Sequence, residues 1–420
     1  MQSIDRRAFI GMSLGGIAAA ATQPAFSSED VPPGVGAGGR PDTLMLTWRS
    51  DPTTTITVQW IGPARTFQDA AVWYAPISQA TWQSVATGQQ AYPLTDLQRY
   101  RAELTGLSPS TEYRLKIGRD PTVFRFRTMP AKATNAFQFV SGGDCGVDQY
   151  AVANNILAAK QDPMFALIGG DIAYDDGLLP DVSLQFVRNY SRHMVDSQGR
   201  LIPMVVCIGN HDLQGEYGMQ RQDAPFFFSL HDGLFAERSY ATLDFGDYLS
   251  LVLLDTGHVA PIGGEQADWL DKSLAERTDR PHLYVVNHVP AYPSRPNSGD
   301  KNEPDSGEMN RQHWVPLFEK HNVDLVLEHH DHAFSRTHPL KNNSVDKNGL
   351  VYLGDGSWGK MRSTKAPDNR PYLAFTDESC HLSVHRLEGQ QCFHLTLSDA
   401  GRIVDACQTS KRPRRSTGRG

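Results

Sequence analysis

Eight residues of this chain are of types that bind metals or move protons, and each stands at or just beyond the end of an apolar run. Asp144 follows FQFVSGG, Asp171 follows MFALIGG, and Asn210 and His211 follow MVVCIG. His288 follows LYVVN, and His330 and His332 close the run LVLEHHDH. Tyr174 lies three residues after Asp171. Carboxylates and imidazoles gathered at strand ends repel one another, compete for protons or share a metal. Alone, an aspartate after glycine is a common turn residue and a buried histidine a common core residue. The ordered series is explained as a whole by coordination. Oxygen and imidazole donors without thiolate suit iron, zinc or manganese in a site with open positions.

The elements that must position these residues are legible as texture. From Phe137 onward, buried strands alternate with helical segments such as YAVANNILAAK, GEQADWLDKSLAE and HWVPLFEKH. That alternation predicts an α/β layered domain. Ligands of such folds bind at the carboxyl ends of strands, where the polar residues stand. If the backbone at 329–332 is extended, His330 and His332 share one face and His329 points away. His329 is then no ligand, and Asp331 either supports a ligand or meets solvent.

Before this domain, residues 41–129 are short β-branched and aromatic runs separated by turns, the spacing of a small all-β sandwich. LSPSTEY, Leu107 to Tyr113, looks like the tyrosine corner of fibronectin type III domains. Trp48 and Trp60 read as its core. Residues 28–40 are rich in Gly and Pro and read as a linker. Residues 1–27 read as a signal peptide, and the pair Arg6-Arg7 before an apolar stretch resembles a twin-arginine export signal. That stretch is shorter than the about 20 residues a membrane span needs. The chain is thus expected to be exported, periplasmic or secreted, with no transmembrane segment. Residues 408–420 read as a basic, disordered tail.

The series Gly143-Asp144-x-Gly146, Gly170-Asp171-x-x-Tyr174, Gly209-Asn210-His211-Asp212, Val285-x-x-His288 and His330-x-His332 resembles the metallophosphoesterases, and among them the purple acid phosphatases. Two features select the subfamily: Gly146 stands where the wider superfamily has histidine, and Tyr174 is added. The resemblance implies an α/β metallophosphoesterase domain over residues 136–407, a β-sandwich core flanked by helices, behind a fibronectin III-like domain. It implies that Asp144, Asp171, Tyr174 and His332 hold one ion, and Asp171, Asn210, His288 and His330 a second. Asp171 bridges, having two oxygens. A tyrosine binds as phenolate only to a strongly polarising cation, which favours iron(III) first and zinc, manganese or iron(II) second. Two such ions clamp an in-line phosphoryl displacement by a metal-bound hydroxide.

On this reading His211 binds phosphate, together with Asn210, and donates a proton to the leaving alkoxide. Asp212 is either its orienting partner or the cap of the following turn. The chain departs from the family at His329, where the pattern has glycine, and in VPAYPSRPNSGD, which lacks the histidines of plant-type members. Arg295 is the phosphate contact expected in their place, and Glu328 and His329 either crowd the site or support a ligand.

Composition adds bounds. With 47 acidic against 40 basic residues the net charge is −7, so nucleic acid is not an expected bulk partner. The expected partner is a small-molecule phosphate ester, on a monomer or homodimer. Five cysteines in no zinc pattern leave room for a disulfide among Cys380, Cys392 and Cys407, and Cys145 reads as a small buried side chain. Three functions stay open: an acid phosphatase acting on monoesters, a phosphodiesterase using the same site, and a catalytically inactive surface-binding protein.

Overall fold

The computed structural model describes residues 41–64, 70–133, 136–295, 306–364 and 370–412. The expected export signal, the linker and residues 413–420 of the tail lie outside the described residues.

Eight short strands between Met45 and Arg127 form two antiparallel four-stranded sheets. Their side chains alternate as a half-buried sheet requires: in Glu112–Ile117 every second residue is buried. Trp60 stacks on Tyr100 inside this sandwich, with centroids 5.3 Å apart. The Tyr113 hydroxyl accepts the Ser108 amide at 2.9 Å, closing a tyrosine corner.

The second domain is two larger sheets. One has six strands, with Met204–Val206, Ala166–Ile168 and Phe137–Gly142 running parallel beside the antiparallel strands His381–Glu388, Gln391–Ser398 and Ile403–Ser410. The other has seven, and its parallel core is Leu249–Leu253, His282–Val286, Leu325–Glu328 and Tyr352–Asp355. Gln138 apart, these parallel strands are fully buried, which is why their sequences are nearly unbroken apolar runs instead of alternating ones. Helices Gln149–Ala159, Pro180–His193, Pro225–His231, Glu265–Ala275, Ser306–His313 and Val315–Lys320 lie among them in the chain.

The two domains share one core. Trp48 of the sandwich lies edge-on to Phe165 and Phe245 of the second domain, at 6.2 and 5.7 Å. Beside it, Arg99 and Arg101 converge on Asp232, Arg99 at 3.2 Å, and Gln59 donates to the Leu230 carbonyl at 2.7 Å.

Three expectations are corrected. The last strand runs to Ser410, past the expected boundary at 407, because it pairs with Gln391–Ser398 along its whole length. The first residues of the tail are anchored, since the Arg412 amide donates to Asp324 at 2.9 Å. All five cysteines are free and buried, so no disulfide joins Cys380, Cys392 and Cys407. Among the described residues no helix is long and apolar enough to cross a membrane.

The interface carries a titrating group. Burial, reinforced by Arg101, pushes His231 down to about 3. A histidine depressed by folding adds stability above its unfolded pKa of about 6.5, and that stability is lost as pH falls toward the folded value. Wild-type protein should lose on the order of 3 kcal/mol at pH 4 through this residue. Urea unfolding at pH 7 and pH 4 should show a smaller loss for His231→Leu; equal losses would contradict it.

Candidate metal centre

The carboxyl ends of the two parallel layers meet, and the candidate residues meet with them. Asp144, Asp171 and Asn210 follow strands of the six-stranded sheet; His288, His330 and His332 follow strands of the other. The His288 Nδ1 lies 2.9 Å from the Gly169 carbonyl and joins the two layers directly. A carbonyl only accepts, so Nδ1 carries a proton and Nε2 is the nitrogen turned inward.

Two ligand groups result: Asp171, His288 and His330 form one, and Asp144, Asp171 and His332 the other. Within each group the donor atoms lie within 4.8 Å of one another, and Asp171 belongs to both. Asn210 joins the first, its Oδ1 at 3.1 Å from His288 Nε2 and 2.9 Å from His330 Nδ1. Tyr174 joins the second, its hydroxyl at 2.6 Å from His332 Nε2 and 3.1 Å from Asp144 Oδ1.

The backbone here is strained. Asp144, Asp171, Tyr174, His330 and His332 all have φ between 51° and 66°. Non-glycine residues seldom adopt this left-handed region, and each instance costs of order 1 kcal/mol. The strand Leu325–Glu328 stops short of the histidines, so the extended backbone expected at 329–332 is not what forms. The left-handed turns send His330 and His332 to different groups, and the His329 ring turns into the core.

Electrostatics makes the arrangement unfavourable without a cation. Asp144 and Asp171 are completely buried. Burial would raise both carboxyls, but His332 holds Asp144 below the usual range and His288 does the same for Asp171. Burial, with Asp144 and Asp171 alongside, pushes the Tyr174 phenol well up. Asp171 Oδ1 accepts the His211 amide at 2.7 Å, whereas its buried Oδ2 has no hydrogen-bond partner among the described residues. A carboxylate common to both ligand groups, with one buried oxygen unpartnered, fits a site built for two cations sharing it.

His211 lies on the outer side, its ring stacked on Tyr174 at 4.6 Å. Asp212, expected either to orient it or to cap the following turn, faces other partners. Asp212 is buried and accepts the amides of Asp171, Ile172 and Gly209 at 3.0, 2.8 and 2.8 Å, so it clamps the turn that carries Asp171. His211 Nδ1 is instead 2.7 Å from Asp176. Asp176 was hidden in the pair Asp175-Asp176; its place two residues beyond Tyr174 was the available signal.

Arg295 is held by its amide, 3.3 Å from Asp331, and among the described residues its guanidinium makes no hydrogen bond or ion pair. Asp331 also accepts the Ser294 amide at 2.5 Å. Glu328, kept at about 7 by burial, accepts the Ala291 amide at 2.7 Å. Both acids therefore pin residues 289–295 and neither reaches the ligands. Lys360, another residue the motifs did not mark, places its ammonium 4.9 Å from the Tyr174 ring centre. The turn LGDGSWG, Leu353 to Gly359, borders the site: the amides of Gly359 and Lys360 donate to the Asp144 carbonyl at 3.1 and 3.0 Å.

The chain is similar to known proteins in both of its domains. Residues 41–128 match the purple acid phosphatase N-terminal domain, and residues 140–334 the calcineurin-like phosphoesterases. Probable purple acid phosphatase 20 of Arabidopsis thaliana is 27% identical over 296 residues, covering 65% of this chain and 64% of the relative. The match thus spans less than two thirds of that relative's own length. Purple acid phosphatase PPD1 from yellow lupin (Lupinus luteus) seeds shares the fold with a TM-score of 0.70 at 18% identity, over 87% of this chain and 73% of its own. PhoD shares it with a TM-score of 0.62 at 14% identity, over 91% and 94%.

The two aspartates beside His211 should separate by stability. Asp212→Ala strands three buried amides and should cost about 3 kcal/mol. Asp176→Ala removes a side chain that is 51% exposed and should stay within about 1 kcal/mol of wild type. Denaturant unfolding of both variants checks this; similar losses would contradict the clamp.

Proposed function

We propose that this chain, a purple-acid-phosphatase-like member of the metallophosphoesterases, hydrolyses phosphate monoesters at a two-metal site, as an acid phosphatase. The observation that carries this is the sharing of Asp171 between two ligand groups, with one oxygen unpartnered. Asp144, Asp171, Tyr174 and His332 would hold one ion and Asp171, Asn210, His288 and His330 the other. A phenol, which ordinarily keeps its proton up to about pH 10, gives it up at acidic pH only to a strongly polarising cation, which supports iron(III) beside Tyr174. Zinc, manganese or iron(II) suits the second set. When bound, the two ions would polarise the phosphoryl oxygens and supply a nucleophile at low pH.

The remaining work belongs to side chains. Asp176 accepts from His211 Nδ1, which leaves Nε2 to meet the substrate, hold a phosphate oxygen and pass a proton to the leaving alkoxide. Asn210 turns Oδ1 toward two ring nitrogens, which leaves its amide nitrogen to donate to phosphate. Lys360 adds positive charge beside Tyr174, and so does Arg362. Both favour an anionic substrate.

A phosphodiesterase reading is favoured by one observation. Glu328 and Asp331 hold residues 289–295 by their amides, and this wall of the site offers no imidazole in its sequence. The N-terminal arginine pair and apolar stretch support an exported enzyme.

An aryl phosphomonoester and an aryl phosphodiester, compared on protein loaded with iron and zinc, test the choice. We expect faster monoester turnover at acidic pH; faster diester turnover would move the assignment to phosphodiesterase. Asp171→Ala should lose both ions and all activity, and retained turnover with two ions would sink the shared-carboxylate reading. Tyr174→Phe should lose a visible tyrosinate-to-iron band, and an unchanged spectrum would remove Tyr174 from the ligands.

A further inference from the structure

His329 is the one histidine of the strand end that reaches no ligand group, and it is 1% exposed. Its ring lies against two glycines. A Cβ added at Gly169 would sit 1.8 Å from the ring Cε1, and one at Gly143 would sit 2.8 Å from Cδ2. Gly143 immediately precedes Asp144, and Gly169 is two residues before Asp171. The ring thus fills a slot that exists only because both carboxylate-bearing turns begin with a residue lacking a side chain.

One ring nitrogen is hydrogen-bonded and the other faces a carboxylate. Nδ1 is 2.9 Å from the Asn287 carbonyl, which only accepts, so Nδ1 donates. Nε2 faces Asp355 Oδ1 at 2.9 Å, with both side chains wholly buried, an ion pair of the protonated ring without hydrogen-bond geometry. The other Asp355 oxygen accepts the Ser141 hydroxyl, and that hydroxyl is 2.6 Å from His385 Nε2. His385 in turn lies 2.7 Å from His394. The chain of contacts leads away from the site into the six-stranded sheet.

The Asp355 end also touches the turns. The Gly143 amide donates to the Asp355 carbonyl at 3.1 Å, and the Asp144 amide donates to the Gly170 carbonyl at 3.1 Å. Ring, Asp355 and both turns form one packed unit directly behind Asp144 and Asp171.

We propose that His329 is a positioning residue: a wedge, anchored through Asp355, that sets the spacing of the Asp144 and Asp171 turns and so the affinity of both metal positions together. This rests on the two-metal reading above. A residue supporting a single ligand would affect one position. A wedge between the turns affects both, because Asp171 is common to them and Asp144 moves against it.

Zinc titration of metal-free full-length protein by calorimetry at 25 °C tests this, with circular dichroism confirming the fold. For His329→Ala we expect both affinities to fall in parallel, by about 10- to 100-fold, the usual range for losing a group that orients metal ligands. Unchanged affinities in the folded variant, or loss at one position alone, would overturn the proposal. Loss of thermal stability without a change in affinity would also overturn it, since that is what a merely structural residue gives. Should His329→Ala not fold, Asp355→Asn decides: it keeps the shape of the anchor and removes its charge. Parallel weakening of both positions is expected there too, and wild-type affinity at both would refute the wedge. Wild-type protein that binds no second zinc would overturn the two-metal reading, and the wedge with it. Two bound ions without ester hydrolysis would overturn the proposed activity alone.

Discussion

One carboxylate constrains the rest. Asp171 is wholly buried, accepts the His211 amide through Oδ1, and leaves Oδ2 without a partner among the described residues. A buried, unsatisfied carboxylate oxygen is expensive unless a cation meets it. Everything nearby serves to hold it in that position. Asp212 accepts three amides of the surrounding turns, His288 bonds the Gly169 carbonyl, and His329 fills the space behind. Five candidate ligands adopt left-handed backbone on the same account. Such strain persists where the surroundings over-determine it, and here the surroundings are two buried sheets packed on one shared apolar core.

The sandwich contributes to that rigidity. Trp48 reaches Phe165, next to the strand that delivers Asp171, and Phe245 in the second sheet. Arg99 and Arg101 meet Asp232 just after the helix Pro225–His231. A continuous apolar core makes it costly for the domains to move independently. The strained turns therefore sit on a support built from both.

Much of this was legible in the sequence because burial writes itself plainly. Parallel strands covered on both faces read as unbroken apolar runs, and each run pointed to the polar residue at its end. Motif order then brought Asp144, Asp171, Tyr174, Asn210, His288, His330 and His332 to one place. What was not legible depended on backbone direction after the strands ended. Two-residue spacing at His330 and His332 implied a shared face, but left-handed turns gave each its own neighbours. Asp212 beside His211 implied a pair, but a three-residue 3-10 turn over Asn210–Asp212 sends one side chain inward and the other out. The partner of His211 came from a different loop, and the partner of His329 from a strand 26 residues on. Contacts of that kind leave no periodic trace.

The most direct test of the shared carboxylate is a crystal structure of protein loaded with metal, with each ion located by anomalous scattering. Two ions about 3.5–4 Å apart, each bound to a different oxygen of Asp171, are predicted. A single ion, or two ions with Asp171 bound to only one of them, would contradict the account.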